Sequence, residues 1–340
     1  MKSERCLDLT LFPTEACNFR CNYCCQALSY GRMEPAIVRG VKAFLSRRGA
    51  RLDELNLAWF GGEPLLALDI IESVMGYVQT MAGKRSRLRI SSGITTNGFN
   101  LSRSVAKRLL DCSVTDYQVT LDGPRQWHDE RRVLANGSGT FDRIWDNLVA
   151  MTELPDRFRV IVSLNVDQDN CRHIPKLIEE LAGVFGHDPR IKLWVRPVSR
   201  LGGPNDAVLP VLEGRERQGA VDSLRRVAKR HQVYLLSTEE VRPICYAARE
   251  RSLVIRSNGR VNKCTVALEE PVNQVGRLYE DGHLEIDESR FMRWTRGQRT
   301  GDAQQLKCPM RGISAPVHSP EKAAAQDRTC RSGRALIDAT

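Results

Sequence analysis

Hydrophobic and polar positions alternate in two different rhythms along the first 235 residues. Short runs rich in apolar and β-branched residues are typical of buried strands, and they occupy 6–12, 54–60, 88–95, 116–121, 158–166 and 191–198. Between these runs, apolar residues recur every three or four positions. This spacing predicts amphipathic helices at 35–48, 68–81, 102–112, 141–154, 173–185 and 214–231. Ser102 is a candidate N-cap of the third helix.

Six strand-then-helix units in succession predict an α/β fold, with a parallel sheet joined by crossover helices. In closed sheets of this kind, reactive groups lie on the loops at the carboxyl ends of the strands. The rhythm changes after residue 235, where short β-like runs surround a turn at 257–259. From Asp287 onward we expect an irregular, arginine-rich chain. We therefore predict two domains, 1–235 and 236–340.

The composition is ordinary for a globular protein, with 41% hydrophobic and 27% charged residues. No apolar run approaches the roughly 20 residues of a membrane-spanning helix, and the N-terminus lacks the apolar core of a signal peptide. We expect a cytoplasmic protein without a membrane partner, in which thiols stay reduced. The net charge of +10 would suit nucleic acid. The basic residues are spread along the chain, however, so a solvated arginine-rich surface is the preferred interpretation.

Four of the 11 cysteines are crowded into residues 17–25, directly after the first predicted strand. Cys17, Cys21 and Cys24 have the spacing C-x3-C-x2-C, and three thiolates on one short loop can converge on a small inorganic centre. A [4Fe–4S] cluster held by three cysteines leaves one iron open to an external ligand. The alternative, a structural zinc ion, needs four ligands and would require Cys25 or a remote side chain.

Further motifs follow at the ends of predicted strands. They are Gly61-Gly62-Glu63-Pro64, Thr95-Thr96-Asn97-Gly98, Thr120-Leu121-Asp122-Gly123-Pro124, His128-Asp129 with Arg132, and the segment GTFDR at 139–143. With the cysteine loop, this series resembles the radical S-adenosylmethionine (SAM) superfamily, and its later members resemble enzymes related to anaerobic sulfatase maturases. The resemblance implies a partial (β/α)6 barrel of the TIM type. It also implies that Cys17, Cys21 and Cys24 hold a [4Fe–4S] cluster that cleaves bound SAM.

By the same resemblance, nine residues at strand ends bind SAM. They are Gly61, Gly62, Glu63, Thr96, Asn97, Thr120, Arg132, Asn165 and Val198. The GGE residues would hold the methionyl ammonium group, and Thr120 and Arg132 would lie near the carboxylate. Asn165 and Val198 would contact the ribose and the adenine. Two simpler interpretations stay open: the two glycines only turn the chain, and Arg132 is a solvated side chain.

The four cysteines beyond residue 240 lie in the predicted second domain. Cys245 and Cys264 flank Gly259 as C-x13-G-x4-C, which resembles the opening of the auxiliary-cluster modules called SPASM and twitch domains. A glycine turn would bring both thiols to one side of a hairpin, and Cys308 and Cys330 would complete one auxiliary [4Fe–4S] cluster. The dense cysteine run of full SPASM modules is missing. A zinc-bearing or degenerate hairpin, with Cys330 as an unbound thiol, is the alternative.

The resemblance implies a radical SAM oxidoreductase that crosslinks or oxidises a side chain of a ribosomally made peptide or protein, with electrons from a flavodoxin- or ferredoxin-type reductant. The alternative substrate is a small molecule such as a sugar or an aminocyclitol. Maturases carry an aromatic pair after the third cysteine, where this chain has Cys25-Gln26. Because the first strand begins within ten residues of Met1, we expect no separate peptide-binding domain ahead of the barrel. A third class, a non-catalytic metal or nucleic-acid binding protein, would not need the strand-end motifs.

Overall fold

The structure is a computed structural model that describes residues 5–26, 29–49, 51–84, 87–237 and 244–313. Its strands are β1 (Cys6–Thr14), β2 (Phe19–Cys21), β3 (Glu54–Gly61), β4 (Arg89–Thr96), β5 (Asp116–Thr120), β6 (Arg132–Leu134), β7 (Arg159–Val166), β8 (Ile191–Pro197), β9 (Ser252–Ile255), β10 (Arg260–Asn262), β11 (Gln274–Leu278) and β12 (Leu284–Ile286). Its helices are α1 (Pro35–Gly49), α2 (Leu68–Gly83), α3 (Arg103–Asp111), α4 (Arg125–Asp129), α5 (Phe141–Thr152), α6 (Ile174–Phe185), α7 (Gly214–Arg230), α8 (Glu288–Thr300) and α9 (Ala303–Lys307).

The six strands predicted from the apolar pattern form a parallel array in the order β1, β3, β4, β5, β7 and β8. Each of these strands, and each of the six predicted helices, lies within two residues of its predicted bounds, while the short helix α4 was not predicted. Ser102 caps α3 as expected, since its hydroxyl accepts a hydrogen bond from the backbone of Val105. The predicted α/β class with crossover helices is confirmed.

The two faces of this sheet carry different side chains. Leu9, Leu57 and Val162 belong to the main apolar core, which lies on the helix side of the sheet. Phe12 belongs instead to a separate small cluster with Val254 and Leu268. Because side chains alternate between faces along a strand, this second cluster marks the inner, concave side, which we call the lumen.

The segment Pro64–Gly83, which contains α2, is long and apolar enough to cross a membrane by length and composition alone. Ile71, Val74 and Val78 of this helix are fully buried in the main core. An apolar core helix meets the same criterion, so the segment is explained by packing against the sheet. The cytoplasmic location stays a prediction.

The C-terminal strands continue the same sheet. β9 pairs with β1 in parallel, and β10, β11 and β12 follow as antiparallel neighbours to complete ten strands. The predicted hairpin turn lies between β9 and β10, where Gly259 has a φ of +81° and a Cβ atom would lie 2.7 Å from Ile37 Cδ1. The domain boundary between residues 235 and 236 stays a prediction.

The expectation of irregular chain after Asp287 is wrong, because α8 and α9 lie there. Asp287 caps α8 by accepting a hydrogen bond from the backbone of Arg290, and Gly301 ends it in the left-handed conformation. Phe291 and Trp294 anchor the helix in the core. The four arginines of α8 obscure the helical period in the sequence.

Candidate active site

The three cysteines of the C-x3-C-x2-C motif lie on the loop that follows β1. Cys21 is the last residue of β2, and it pairs with Arg132 at the start of β6. The backbone N–H of Phe19 donates to Cys17 Sγ over 3.3 Å, and that of Gln26 donates to Cys24 Sγ over 3.4 Å. The loop therefore holds two of the sulfurs in place through backbone donors.

The thiols of this loop are close enough to affect one another. Burial raises the pKa of Cys21 to about 11, and its neighbours Cys24 and Cys17 add to that rise, whereas Arg132 opposes it. Burial likewise raises the pKa of Cys17, with a further contribution from Cys24. Three adjacent half-buried thiols beside one arginine form a donor set that a cationic iron centre would stabilise as thiolates.

In the described part of the chain, no three His, Cys, Asp or Glu side chains are grouped closely enough to hold one metal ion. A zinc ion draws its ligands around a single atom. A [4Fe–4S] cluster binds each cysteine to a different iron and so takes thiolates that are farther apart. The zinc alternative, which needs four ligands around one atom, finds no such group among the described residues.

Gly61 and Gly62 bring the end of β3 directly against the cysteine loop. Gly61 has a φ of +130°, and a Cβ there would lie 2.2 Å from the carbonyl oxygen of Thr14. A Cβ on Gly62 would lie 2.4 Å from the carbonyl oxygen of Ala16, to which Glu63 N donates over 2.9 Å. Only glycine permits this approach, which ties both positions to the placement of Cys17.

The Glu63 carboxylate joins the ends of β3 and β4. It accepts hydrogen bonds from the Thr96 hydroxyl over 2.6 Å, from Asn97 N over 2.7 Å and from Leu65 N over 3.0 Å. Burial raises the pKa of this carboxyl group. Asn97 also donates from its side chain to Asn18 Oδ1 over 2.8 Å. The GGE and TTN motifs and the cysteine loop are therefore one hydrogen-bonded unit.

A second network surrounds the hydroxyl of the half-buried Tyr23. Arg132 Nη1 donates to it over 2.6 Å and Asn165 Nδ2 over 3.1 Å, while the hydroxyl donates to the Asp122 carboxylate. Arg132 is buried, so its interpretation as a solvated side chain is wrong. Its Nε has no partner among the described residues.

Two members of this network, Tyr23 and Asp122, are absent from the predicted site residues. Tyr23 directly precedes Cys24, and Asp122 lies inside the quoted TLDGP motif. Both positions could therefore have been selected from the motifs. Val198 and Thr120 lie at the same end of the barrel: Val198 is buried in a small cluster against which Tyr23 packs, and Thr120 ends β5.

His128 and Asp129 support the site without facing it. The Asp122 N–H donates to His128 Nδ1 over 3.3 Å, and Asp129 Oδ1 accepts from the backbone of Thr140 and Phe141 at the start of α5. Burial lowers the pKa of His128 well below its usual range. These motif residues fix the loop that presents Asp122.

The segment 199–213 covers the cysteine loop from the end of β8. Asn205 Nδ2 donates to the carbonyl oxygen of Asn22 over 2.7 Å. A Cβ on Gly203 would lie 2.7 Å from the carbonyl oxygen of Cys24, so the two backbones are in close contact. This cover limits the access of water to Cys24.

The structure also brings together three cysteines of the C-terminal region. Burial raises the pKa of Cys264 to about 11, and Cys245 and Cys308 add to that rise. Cys245 N donates to the carbonyl oxygen of Leu306, close to Cys308. Cys330, the fourth predicted ligand, lies outside the described residues. The three described thiols are near enough for their charges to affect one another, and both the auxiliary cluster and its ligands stay predictions.

A hydrogen bond connects the loop of the first group of cysteines to the surroundings of the second group. Gln26 Nε2 donates to the carbonyl oxygen of Thr265 over 2.9 Å. The Tyr246 hydroxyl lies 2.7 Å from Thr265 Oγ1, accepts from Thr265 N over 2.8 Å and lies 3.9 Å from Cys264 Sγ. Gln26 therefore contacts the surroundings of Cys264 from a position two residues after Cys24.

Comparisons with known proteins agree with this arrangement. A family model described as the radical SAM superfamily matches residues 11–181. The cysteine-type anaerobic sulfatase-maturating enzyme of Clostridium novyi is 25% identical over 183 residues, which are 50% of this chain and 46% of that protein. The GTP 3′,8-cyclase of Yersinia pestis is 31% identical over 174 residues, which are 44% of this chain and 48% of that protein. The chain thus spans about half the length of these curated relatives.

Two solved structures share the fold. One is native anSMEcpe with bound AdoMet and Cp18Cys peptide, with a TM-score of 0.60, 19% identity and coverage of 84% of this chain and 80% of that one. The other is Streptococcus suis SuiB bound to the precursor peptide SuiA, with a TM-score of 0.55, 14% identity and coverage of 78% and 61%. At these identities the likeness concerns the fold alone.

Proposed function

This chain belongs to the radical SAM superfamily, and on that premise we propose that it modifies a side chain of a ribosomally made peptide or protein. The superfamily implies an enzyme that uses SAM and a [4Fe–4S] cluster. The observation that carries the proposal is the hydrogen-bonded unit of Cys17, Cys21 and Cys24 with the Glu63 and Asn97 motifs. A non-catalytic binding protein would have no need of that unit.

In this proposal Cys17, Cys21 and Cys24 hold the cluster, and Arg132 offsets part of the thiolate charge. When bound, the reduced cluster supplies the electron that cleaves SAM into methionine and a 5′-deoxyadenosyl radical, which removes a hydrogen atom from the substrate. The roles at the SAM site are carried over by resemblance: Gly61, Gly62, Glu63, Thr96 and Asn97 for the methionyl end, Thr120 and Arg132 for its carboxylate, and Asn165 and Val198 for the nucleoside.

The chain's own residues must orient the substrate and exclude water. Tyr23 and the segment 199–213 cover one end of the barrel. A held C–H bond close to the radical carbon makes its removal effectively intramolecular. The cover keeps water away from the radical and so reduces its competing reactions with solvent.

We further propose that Cys245, Cys264 and Cys308, with Cys330, hold one auxiliary [4Fe–4S] cluster. Such a cluster can accept the electron that a substrate radical must lose to become a closed-shell product. The assignment is supported by the closeness of these thiols: after burial, Cys308 raises the pKa of both Cys245 and Cys264, and Cys245 N bonds the carbonyl oxygen of Leu306, two residues before Cys308. The reaction would then be oxidative, which makes the enzyme an oxidoreductase supplied by a flavodoxin- or ferredoxin-type reductant.

Similar proteins that act on a protein or bind a peptide support a peptide substrate for this chain. The Clostridium novyi relative is a sulfatase-maturating enzyme, and two structures of the same fold contain bound peptides. A small-molecule substrate is the second candidate, since several relatives are GTP 3′,8-cyclases.

Transfer of deuterium from substrate into 5′-deoxyadenosine tests the proposal. The reconstituted enzyme is incubated with SAM, dithionite and perdeuterated short peptides encoded beside its gene, and with deuterated GTP as the small-molecule arm. We expect deuterium in 5′-deoxyadenosine and a lower peptide mass, with the mass change abolished in Cys245→Ala/Cys264→Ala. Deuterium transfer from GTP alone, or from no peptide, would contradict the peptide assignment.

A further inference from the structure

Three neighbouring strands present a row of side chains to the lumen at the level of the cysteine loop. Ser163 on β7 pairs in register with Trp194 on β8, and Asn165 pairs with Arg196. Paired residues of neighbouring strands lie on the same face of a sheet. The Asn165 side chain bonds the Tyr23 hydroxyl, so Arg196 lies on the face that carries the cysteine loop.

Arg196 is exposed and has no carboxylate partner. Its guanidinium lies over the Trp194 ring, 5.1 Å from the centroid, and no hydrogen bond or ion pair joins it to another described residue. Two arginines nearby in the chain are paired, Arg190 with Asp188 and Arg200 with Glu213. Arg196 pairs in register with Asn165, whose side chain bonds the hydroxyl of Tyr23, the residue before Cys24. The guanidinium is therefore near the reaction centre and available to an anion.

A second observation at this wall is the hydroxyl of Ser163. The residue is completely buried, and its Oγ has no hydrogen-bond partner among the described residues. It lies in register between Thr120 and Trp194. A buried polar atom without a partner costs stability, so this hydroxyl marks the wall as polar and able to bond a polar group that reaches it.

The opposite wall of the lumen is apolar. Phe12 and Phe60 lie there with ring centroids 5.5 Å apart, and Phe60 and Tyr246 pack against the cluster that contains Leu268. The lumen thus has one cationic, polar wall and one aromatic wall. A substrate that fits both carries a negative charge beside an apolar group.

We propose that Arg196, stacked on Trp194, binds an acidic side chain of the substrate peptide and so places the neighbouring residue for modification. The proposal rests on the proposed function and adds the chemical class that the site selects. A planar guanidinium binds a carboxylate through two parallel hydrogen bonds. SAM itself also carries a carboxylate, so the test must separate the two sources.

The test is equilibrium dialysis of the reconstituted, SAM-loaded enzyme with two peptide probes, acetyl-Phe-Glu-amide and acetyl-Phe-Gln-amide, which differ in one charged group. We expect the glutamate peptide to bind about tenfold more tightly, as for a hydrogen bond to a charged group. Arg196→Gln should remove this preference, and Arg196→Lys should keep part of it. Arg226→Gln, an exposed arginine on α7, is the matched control and should change nothing.

SAM binding is measured on the same variants. Unchanged SAM affinity in Arg196→Gln, together with loss of the glutamate preference, supports the proposal. Equal binding of the two peptides by the wild type, or a preference that survives in Arg196→Gln, would overturn it. Loss of SAM binding in Arg196→Gln would assign the arginine to the cofactor carboxylate instead. Since no turnover is needed, these results do not depend on the deuterium-transfer test above.

Discussion

The ion pair between Glu15 and Arg256 connects the C-terminal hairpin to the loop that leads into Cys17. Arg256 Nε donates to Glu15 Oε1 over 3.0 Å and Nη2 donates to Oε2 over 2.6 Å. The two side chains are only 1% and 3% exposed. Arg256 also donates to the carbonyl oxygen of Leu268 and to the Glu269 carboxylate.

Arg256→Met removes one partner and leaves the Glu15 carboxylate buried without its counter-ion. Such a change costs about 3–5 kcal/mol of unfolding free energy, whereas replacing both partners by apolar residues is often close to neutral. We therefore expect Arg256→Met to be severely destabilised, and Glu15→Leu/Arg256→Met to recover most of the loss. Urea unfolding of the full chain, followed by circular dichroism, measures both.

The matched control is Arg39→Met. Arg39 and Glu280 also form an ion pair at 2.6 Å between α1 and the C-terminal region, but their side chains are 59% and 58% exposed. An exposed pair contributes about 0–1 kcal/mol. If Arg256→Met costs no more than Arg39→Met, or if the double variant is no more stable than Arg256→Met, the reasoning from burial is refuted.

Three further outcomes follow from the site. Glu63→Gln places an amide donor against N–H and O–H donors, so it should cost about 1–3 kcal/mol in urea unfolding and weaken SAM binding in dialysis; unchanged values would contradict its role. Gln26→Ala should leave the iron content unchanged but accelerate hydrogen exchange around Thr265, because their hydrogen bond is lost; unchanged exchange would show that the contact is dispensable. Burial keeps His128 neutral in the folded protein, while the unfolded chain takes up a proton near pH 6.5. The unfolding free energy should therefore fall below about pH 6.5, by up to about 1.4 kcal/mol per pH unit. His128→Gln should remove that part of the slope between pH 7.5 and 5.5, and an unchanged slope would exclude His128 as its source.

The first six strands could be predicted because each is a buried apolar run flanked by polar turns. A local apolar pattern of this kind indicates that a segment is buried, and it can be recognised without knowing which strand the segment pairs with. The pairing of β2 with β6 could not be predicted in this way, since it joins Cys21 to Arg132 across more than a hundred residues. The same applies to β9, which pairs with β1 from the far end of the chain.

The candidate site, like the fold, could be predicted only in part from the sequence. The motifs indicate which segments meet, and the structure joins the Glu63 and Asn97 motifs to the cysteine loop by hydrogen bonds. The ligand and cofactor roles of these residues stay predictions. The motifs do not show which atoms bond. Thr96 and Asn97 donate hydrogen bonds to the Glu63 carboxylate because the ends of β3 and β4 lie side by side. The link from Gln26 to Thr265 joins residues that no local pattern relates.

The most direct test of the account is anaerobic reconstitution, followed by counting iron and measuring 5′-deoxyadenosine formed from SAM and dithionite. The wild type should bind about eight irons and produce 5′-deoxyadenosine, as expected for two [4Fe–4S] clusters. The variant Cys17→Ala/Cys21→Ala/Cys24→Ala should keep about four irons and produce none. About four irons in the wild type, falling to near none in the variant, would contradict the auxiliary cluster. 5′-Deoxyadenosine formed by the variant as fast as by the wild type would contradict the central claim that these three cysteines support SAM cleavage.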